Sequence, residues 1–226
     1  MKKTLSILLA MLLLLTIACA ESATTVFVSI SDDAGQLVLA YKPVDVSDLD
    51  DDGMLTICDA LMGAHMAYHP EGAAAYYAED TEWGKSLYVL WGVDNGGSYG
   101  YMLNDVSPTS LLDPIRDGDH IKAYAYSDLT SFGDTYCYFA APVEDAKVDT
   151  EVALTLTAAG YDVNWSPITL PVTGAVITVN GEETEIVTDE NGNAVLDLAE
   201  AGTYTISAVS DTQILVPPVC ILTVGE

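Results

Sequence analysis

From residue 146 onward the chain alternates apolar and polar residues in short runs broken by turn residues. A period of two buries one face of every strand, so the strands must stack sheet on sheet. In EVALTLTAAGY, Val152, Leu154 and Leu156 face one way between polar neighbours. AVITVNGEETEIVT is two such runs around Asn180-Gly181, the pair that type I′ hairpin turns favour because both central residues need positive φ. DENG then turns the chain into NAVLDLA, and GTYTISAVS and PVCILTV add two more strands. Pro217-Pro218 marks an edge or a strand entrance, since proline cannot donate to a ladder. Six or so strands at this spacing predict an all-β immunoglobulin-like sandwich over 146–226. The stretch TDENGNAVLDLAEAGTYTISA resembles bacterial Ig-like and carboxypeptidase-regulatory-like domains, a resemblance that implies a spacer or support.

The texture changes near residue 145. Before it lie all but two of the 13 tyrosines and two of the three tryptophans, and PVEDAKVDTE reads as a linker or the first edge of the second unit. In residues 22–142, TTVFVSISD and QLVLAYKPVDV predict a hairpin, and a helix follows over 55–68, stopped before Pro70. KSLYVLWGV, SYGYMLND and HIKAYAYSD predict later strands, with SPTSLLDPI a short helical turn. Two strands, a crossing helix and a mixed set of strands predict an α+β unit, with a β-grasp as the expected topology.

The helix is entered through DLDDDGMLTICD, which matches the twelve-position calcium loop slot by slot. Asp48, Asp50 and Asp52 stand at the first three ligand positions, Gly53 at the bend, and Met54 would offer its carbonyl. Thr56 falls at the ninth position and Asp59 closes the twelfth. Crowded carboxylates repel one another unless a hard cation sits among them, so calcium is the expected cofactor. The competing reading is an acidic helix cap. DLDDDGMLTICDAL resembles the loop and helix of dockerins and half EF-hands, with Asp59 in place of the usual glutamate and an extra carboxylate at Asp51.

Export is expected from the first twenty residues. MKK, the apolar run SILLAMLLLLTI and Ala18-Cys19-Ala20 before Glu21 read as a signal peptide, with lipid attachment at Cys19 as the alternative. Simple cleavage removes two of seven basic residues and none of the 34 acidic ones, so the mature chain is more negative than the formal −27 of the whole. That charge repels phosphate backbones and anionic lipid, so nucleic acid is excluded as a partner. No later run is long and apolar enough to predict a membrane helix, and a secreted location is expected. Cys58, Cys137 and Cys220 remain, enough for one internal disulfide at most. His65 and His69 stand four apart, but without HExxH or a third ligand they read as packed or exposed side chains, and His120 as a surface one. No nucleophile elbow, Walker loop or paired glutamate spacing is present, so no catalytic residue is assigned and the chain is not expected to be an enzyme. Asn164-Trp165-Ser166 is a glycan acceptor only in a eukaryotic secretory route.

Trp83, Trp91, Tyr99, Tyr101, Tyr124, Tyr126, Tyr136 and Tyr138 crowd the first unit. Core packing accounts for any single ring; a cluster of exposed ones would make a platform for flat ligands or sugars. Residues 24–128 resemble the transcobalamin-like C-terminal domain family on the paired N-terminal strands, DGMLTICDAL, SYGYMLND and IRDGDHIKAYAYSD. The family's Asn-Gly is Asn104-Asp105 here. The resemblance implies a β-grasp-like fold and ligand capture, a corrinoid in the namesake, with Trp91, Tyr99, Tyr101 and Asn104 as the binding candidates. The expected function is an exported, non-catalytic calcium-binding module taking a small molecule, glycan or protein. The alternative is a purely structural surface or adhesion module binding only calcium.

Overall fold

A computed structural model describes residues 24–82 and 84–226. The signal peptide, Cys19 and Trp83 lie outside the described residues. In chain order the elements are β1 (Thr24–Ser31), β2 (Leu37–Val46), α1 (Ile57–Tyr68), a 3-10 turn (Gly72–Ala75), β3 (Tyr77–Thr81), β4 (Gly84–Leu90), β5 (Val93–Asp94), β6 (Tyr99–Leu103) and β7 (His120–Ala125). There follow β8 (Thr135–Phe139), β9 (Val143–Lys147), β10 (Val152–Tyr161), β11 (Pro167–Pro171), β12 (Val176–Val179) and β13 (Glu182–Val187). The last are β14 (Asn193–Leu196), β15 (Gly202–Val209), β16 (Leu215–Val216) and β17 (Cys220–Gly225).

The first sheet runs β2-β1-β7-β6, with β1 antiparallel to β2 and parallel to β7. Pro43 interrupts β2 without harm because β2 is the edge strand. Helix α1 covers this sheet. Its Ile57, Ala60, Leu61 and Ala64 recur at helical spacing and bury completely against Val26, Val28 and Ile30 of β1. Each large side chain so buried contributes about 1.5–3 kcal/mol. The helix begins two residues later than the sequence reading, because Thr56 is its N-cap.

The second unit is a sandwich. One sheet runs β11-β10-β8-β16 with β14 also pairing β10; the other runs β13-β12-β15-β17-β9. β8 pairs antiparallel with β10, then the chain turns past Pro142 and β9 pairs parallel with β17 in the opposite sheet. A first strand divided between both sheets, with its second half parallel to the last strand, is the immunoglobulin-like arrangement. Leu154 and Leu156 of β10 face Ile177, Ile206 and Leu222 across the interior. Asn180 and Gly181 take φ of 52° and 87°, as the hairpin turn between β12 and β13 requires.

The expected α+β β-grasp-like unit over 22–142 is corrected. Among the described residues one α-helix stands against seventeen strands, and the first unit divides into the four-stranded sheet and a separate three-stranded sheet, β3-β4-β5. Thr135–Phe139, a segment not read as a strand from the sequence, forms β8 and pairs with β10 and β16 of the sandwich. SPTSLLDPI forms turns, not a helix. The buried residues of the first core run to Ala123 and those of the second begin at Cys137. Between them Tyr124, Tyr136 and Val216 form a small apolar seam. Beside it, buried Lys122 donates to the Cys137 carbonyl at 3.0 Å, lies 3.7 Å from an Asp105 oxygen and stands 4.5 Å over the Tyr136 ring.

Candidate functional site

The acidic loop between β2 and α1 brings together some of its expected ligands and sends the others elsewhere. Oxygens of Asp48, Asp50 and Asp52 all lie within 4.8 Å of one another. Asp48 accepts from the Gly53 N–H at 2.8 Å and the Asp52 N–H at 3.3 Å, and Asp52 accepts from the Met54 N–H at 2.8 Å. The Gly53 N–H and its neighbours hold the Asp48 carboxyl below the usual carboxylate range. Desolvation, and then Asp52, push Asp50 the other way. Lys85 answers part of that charge, 3.9 Å from Asp50 and 3.4 Å from Asp80.

Thr56 and Asp59 are spent on the helix. Asp59 is buried; one of its oxygens accepts from the Leu49 N–H at 3.0 Å, and the other from the Thr56 N–H at 2.9 Å and the Thr56 hydroxyl at 2.6 Å. This is a capping box closed by aspartate. Aspartate is one methylene shorter than the glutamate of an EF-hand, so a carboxylate that turns inward to the cap does not also reach the loop's focus. The Met54 side chain is exposed.

The aromatic candidates do not converge on one site. Trp91 packs on the first core between the rings of His65 and His69, at 5.2 and 4.8 Å. The Tyr99 hydroxyl donates toward the carbonyls of Tyr88 and Val93 and accepts the Asn95 N–H at 2.7 Å. The Asn104 side chain ties Asp119 to the His120 N–H, each at 2.8 Å. Tyr99 and Tyr101 do line a polar groove of about 430 Å³ with Lys85, Tyr88 and Ser110, but Trp91 and Asn104 are not in it. A second, larger groove of about 740 Å³ opens between the β1–β2 turn and the β12–β13 turn, lined by Gln36, Asn180, Glu183 and Gln213.

The histidines are structural. His65 is fully buried; Nδ1 donates to the Leu61 carbonyl at 2.6 Å, leaving Nε2 to accept the Trp91 N–H at 2.8 Å. Burial lowers its pKa to about 4. With both nitrogens engaged it has no lone pair for a metal. His120 is not at the surface as expected: it is buried, its Nε2 is 2.9 Å from the Ser29 hydroxyl, and burial followed by the Lys122 charge takes it to about 3. Sequence spacing gave no sign of this serine–histidine pair, since 91 residues separate the two. Ser29 is itself buried and accepts the Tyr41 N–H at 3.0 Å, and neither groove reaches the pair. Cys58, Cys137 and Cys220 are free thiols. No helix among the described residues is long and apolar enough to cross a membrane.

No family model matches the chain, and no curated protein does. Solved structures similar to it are immunoglobulin-domain proteins. The N-terminal four Ig domains of Dscam1 isoform 9.44 align at 10% identity and TM-score 0.26, over 66% of this chain and 32% of that one. Isoform 7.44 aligns at 8% and 0.27, over 91% and 45%. The N-terminal Ig1-2 module of the Drosophila receptor protein tyrosine phosphatase DLAR aligns at 14% and 0.29, over 68% and 76%. The chain thus spans a third to under half the length of the Dscam1 fragments. The immunoglobulin-like assignment stands on the strand order and register given above, not on these likenesses. The identification of residues 24–128 as a transcobalamin-like C-terminal domain with an EF-hand or dockerin-like loop is corrected: no family model matches, the strands of this region divide between two separate sheets, and the loop's closing carboxylate caps the helix.

Proposed function

We propose that this chain is an exported, non-catalytic surface module of the structural or adhesion kind, built from a helix-backed sheet and an immunoglobulin-like sandwich. The observation that supports it is the sandwich itself, whose first strand divides between the two sheets. A scaffold of this kind presents loops and edges to protein partners and needs no reactive centre. The test is antibody against the sandwich applied to intact cells of the producing organism. Labelling without permeabilisation, or recovery from the medium, is expected; signal only after permeabilisation would sink the reading.

In the same reading the loop holds calcium through Asp48, Asp50 and Asp52, with no contribution from Thr56 or Asp59. Support comes from the convergence of three carboxylates on one point. Three ligands and solvent make a weak site, with Kd on the order of 10⁻⁴–10⁻³ M, the range of extracellular modules. At ten times that concentration calcium adds about 1.4 kcal/mol of stability. Calorimetric titration of the full chain should show one such site, and Asp52→Asn should abolish it. Absence of heat in the parent, with no shift in melting temperature, would remove calcium from the account.

A further inference from the structure

The two most exposed large apolar side chains among the described residues, Val163 and Trp165, share one hairpin tip with Tyr161. Val163 is 96% exposed, Trp165 82% and Tyr161 58%, all at the turn joining β10 to β11. β10 pairs with β14 over Val152–Thr155 and with β8 over Leu156–Ala158. From Ala159 onward its only partner is β11, so the ribbon outruns the sheet. Its turn is well made: Asp162 accepts the N–H groups of Asn164 and Ser166 at 2.8 and 2.9 Å, and the Asp162 carbonyl accepts from Trp165 at 3.0 Å. The tip is a built feature that holds Tyr161 and Trp165 with ring centroids 6.2 Å apart.

Charge sets this ribbon apart. Between Glu151 and Glu182 the sole charged residue is Asp162, and no lysine or arginine follows Lys147, in a chain of formal charge −27. Pro167 and Pro171 close both ends of edge strand β11, which argues against pairing with another strand. A second copy would bring a like-charged body. The apex side chain is a valine, and the Asp162 carboxylate beside it is taken up by the N–H groups of Asn164 and Ser166. An aliphatic apex with a tryptophan and a tyrosine behind it fits the boundary of a lipid bilayer, where such rings settle among the headgroups.

We propose that the Tyr161–Trp165 tip is a shallow membrane-contact finger for lipid surfaces without net negative charge. The apex valine enters the acyl boundary and the two rings sit at headgroup level. Anionic surfaces are refused because no basic residue accompanies the finger and the acidic body repels them. The inference rests on the surface-module reading for its setting alone: cell labelling reports where the chain is, and the assay below reports what the tip does.

The test is flotation of the full chain with phosphatidylcholine vesicles at low salt, read with tryptophan emission. Wild type should float with the vesicles and shift its emission to the blue. Trp165→Ala and Val163→Asp should each lower the floated fraction about tenfold or more. Both side chains are exposed, so the variants' melting temperatures should stay within a degree or two of wild type. Vesicles containing phosphatidylglycerol should bind less well. Wild type that neither floats nor shifts overturns the proposal, as do equal flotation of the variants and a response to neutral oligosaccharide in place of vesicles.

Discussion

Gly192→Ala is expected to destabilise the sandwich by about 3–5 kcal/mol, far more than a methyl group on an exposed turn normally would. Gly192 sits in the turn before β14 with φ of 77°, where an L-residue pays about 1 kcal/mol for its conformation alone. The larger cost is steric. A Cβ there would stand 2.3 Å from the Leu156 carbonyl oxygen and 3.3 Å from the Val172 nitrogen. Leu156 cannot retreat freely. Its N–H donates to the Gly192 carbonyl at 2.8 Å, its carbonyl accepts from Val172 at 3.1 Å, and its side chain is fully buried in the second core. Moving it breaks two backbone bonds and disturbs packing at once.

Gly181→Ala is the control. Its φ is 87°, but nothing lies within 4 Å of the added Cβ, so only the conformational cost of about 1 kcal/mol remains. In thermal unfolding, Gly192→Ala should lower the sandwich transition by more than about 10 °C and Gly181→Ala by about 5 °C. Equal shifts would mean that the close approach is not a constraint in solution.

The sandwich was legible in the sequence wherever one face alternates. Leu154 and Leu156 in β10, Ile206 and Ala208 in β15, and Leu222 and Val224 in β17 are buried on the expected period. Asn180-Gly181 revealed its turn because two successive positive φ values leave few other choices. The strands that escaped were those whose pattern is set by partners distant in sequence. TYCYF (Thr135–Phe139) follows the aromatic texture of the first unit, yet pairs with β10 and with β16, the latter some eighty residues on. Aromatic content says that a segment will pack, not against which sheet.

The loop shows the same asymmetry. Spacing found Asp48, Asp50 and Asp52 as a group, since residues two apart in a tight acidic turn have few ways to separate. It could not decide whether Asp59 would turn toward the loop or toward its own helix. The choice fell to the cap because Thr56 and Leu49 present three donors to it in a buried setting, where an ionised carboxylate needs all of them. Likewise His120 reads as a surface residue in the sequence, and its burial, with that of Lys122, follows from β7 lying inside its sheet and against the seam.

The first strand of the sandwich carries the central claim, and losing it has the largest effect foreseen here. β8 supplies Cys137 and Phe139 to the core and hydrogen-bonds β10, while β9 closes the opposite sheet beside β17. A fragment of residues 146–226 loses β8 and cuts into β9, opening the interior at Leu156 and Leu222 to water. At about 1.5–3 kcal/mol for each large side chain uncovered, added to the loss of Phe139 and Cys137 themselves and of the ladder to β10, the cost is comparable to the roughly 5–15 kcal/mol by which a domain is held folded. The direct measurement is thermal unfolding by circular dichroism of fragments 127–226 and 146–226. The account predicts a cooperative transition for the first and none for the second; equal melting of both would contradict it, because the sandwich would then begin after the strand on which its immunoglobulin-like assignment depends.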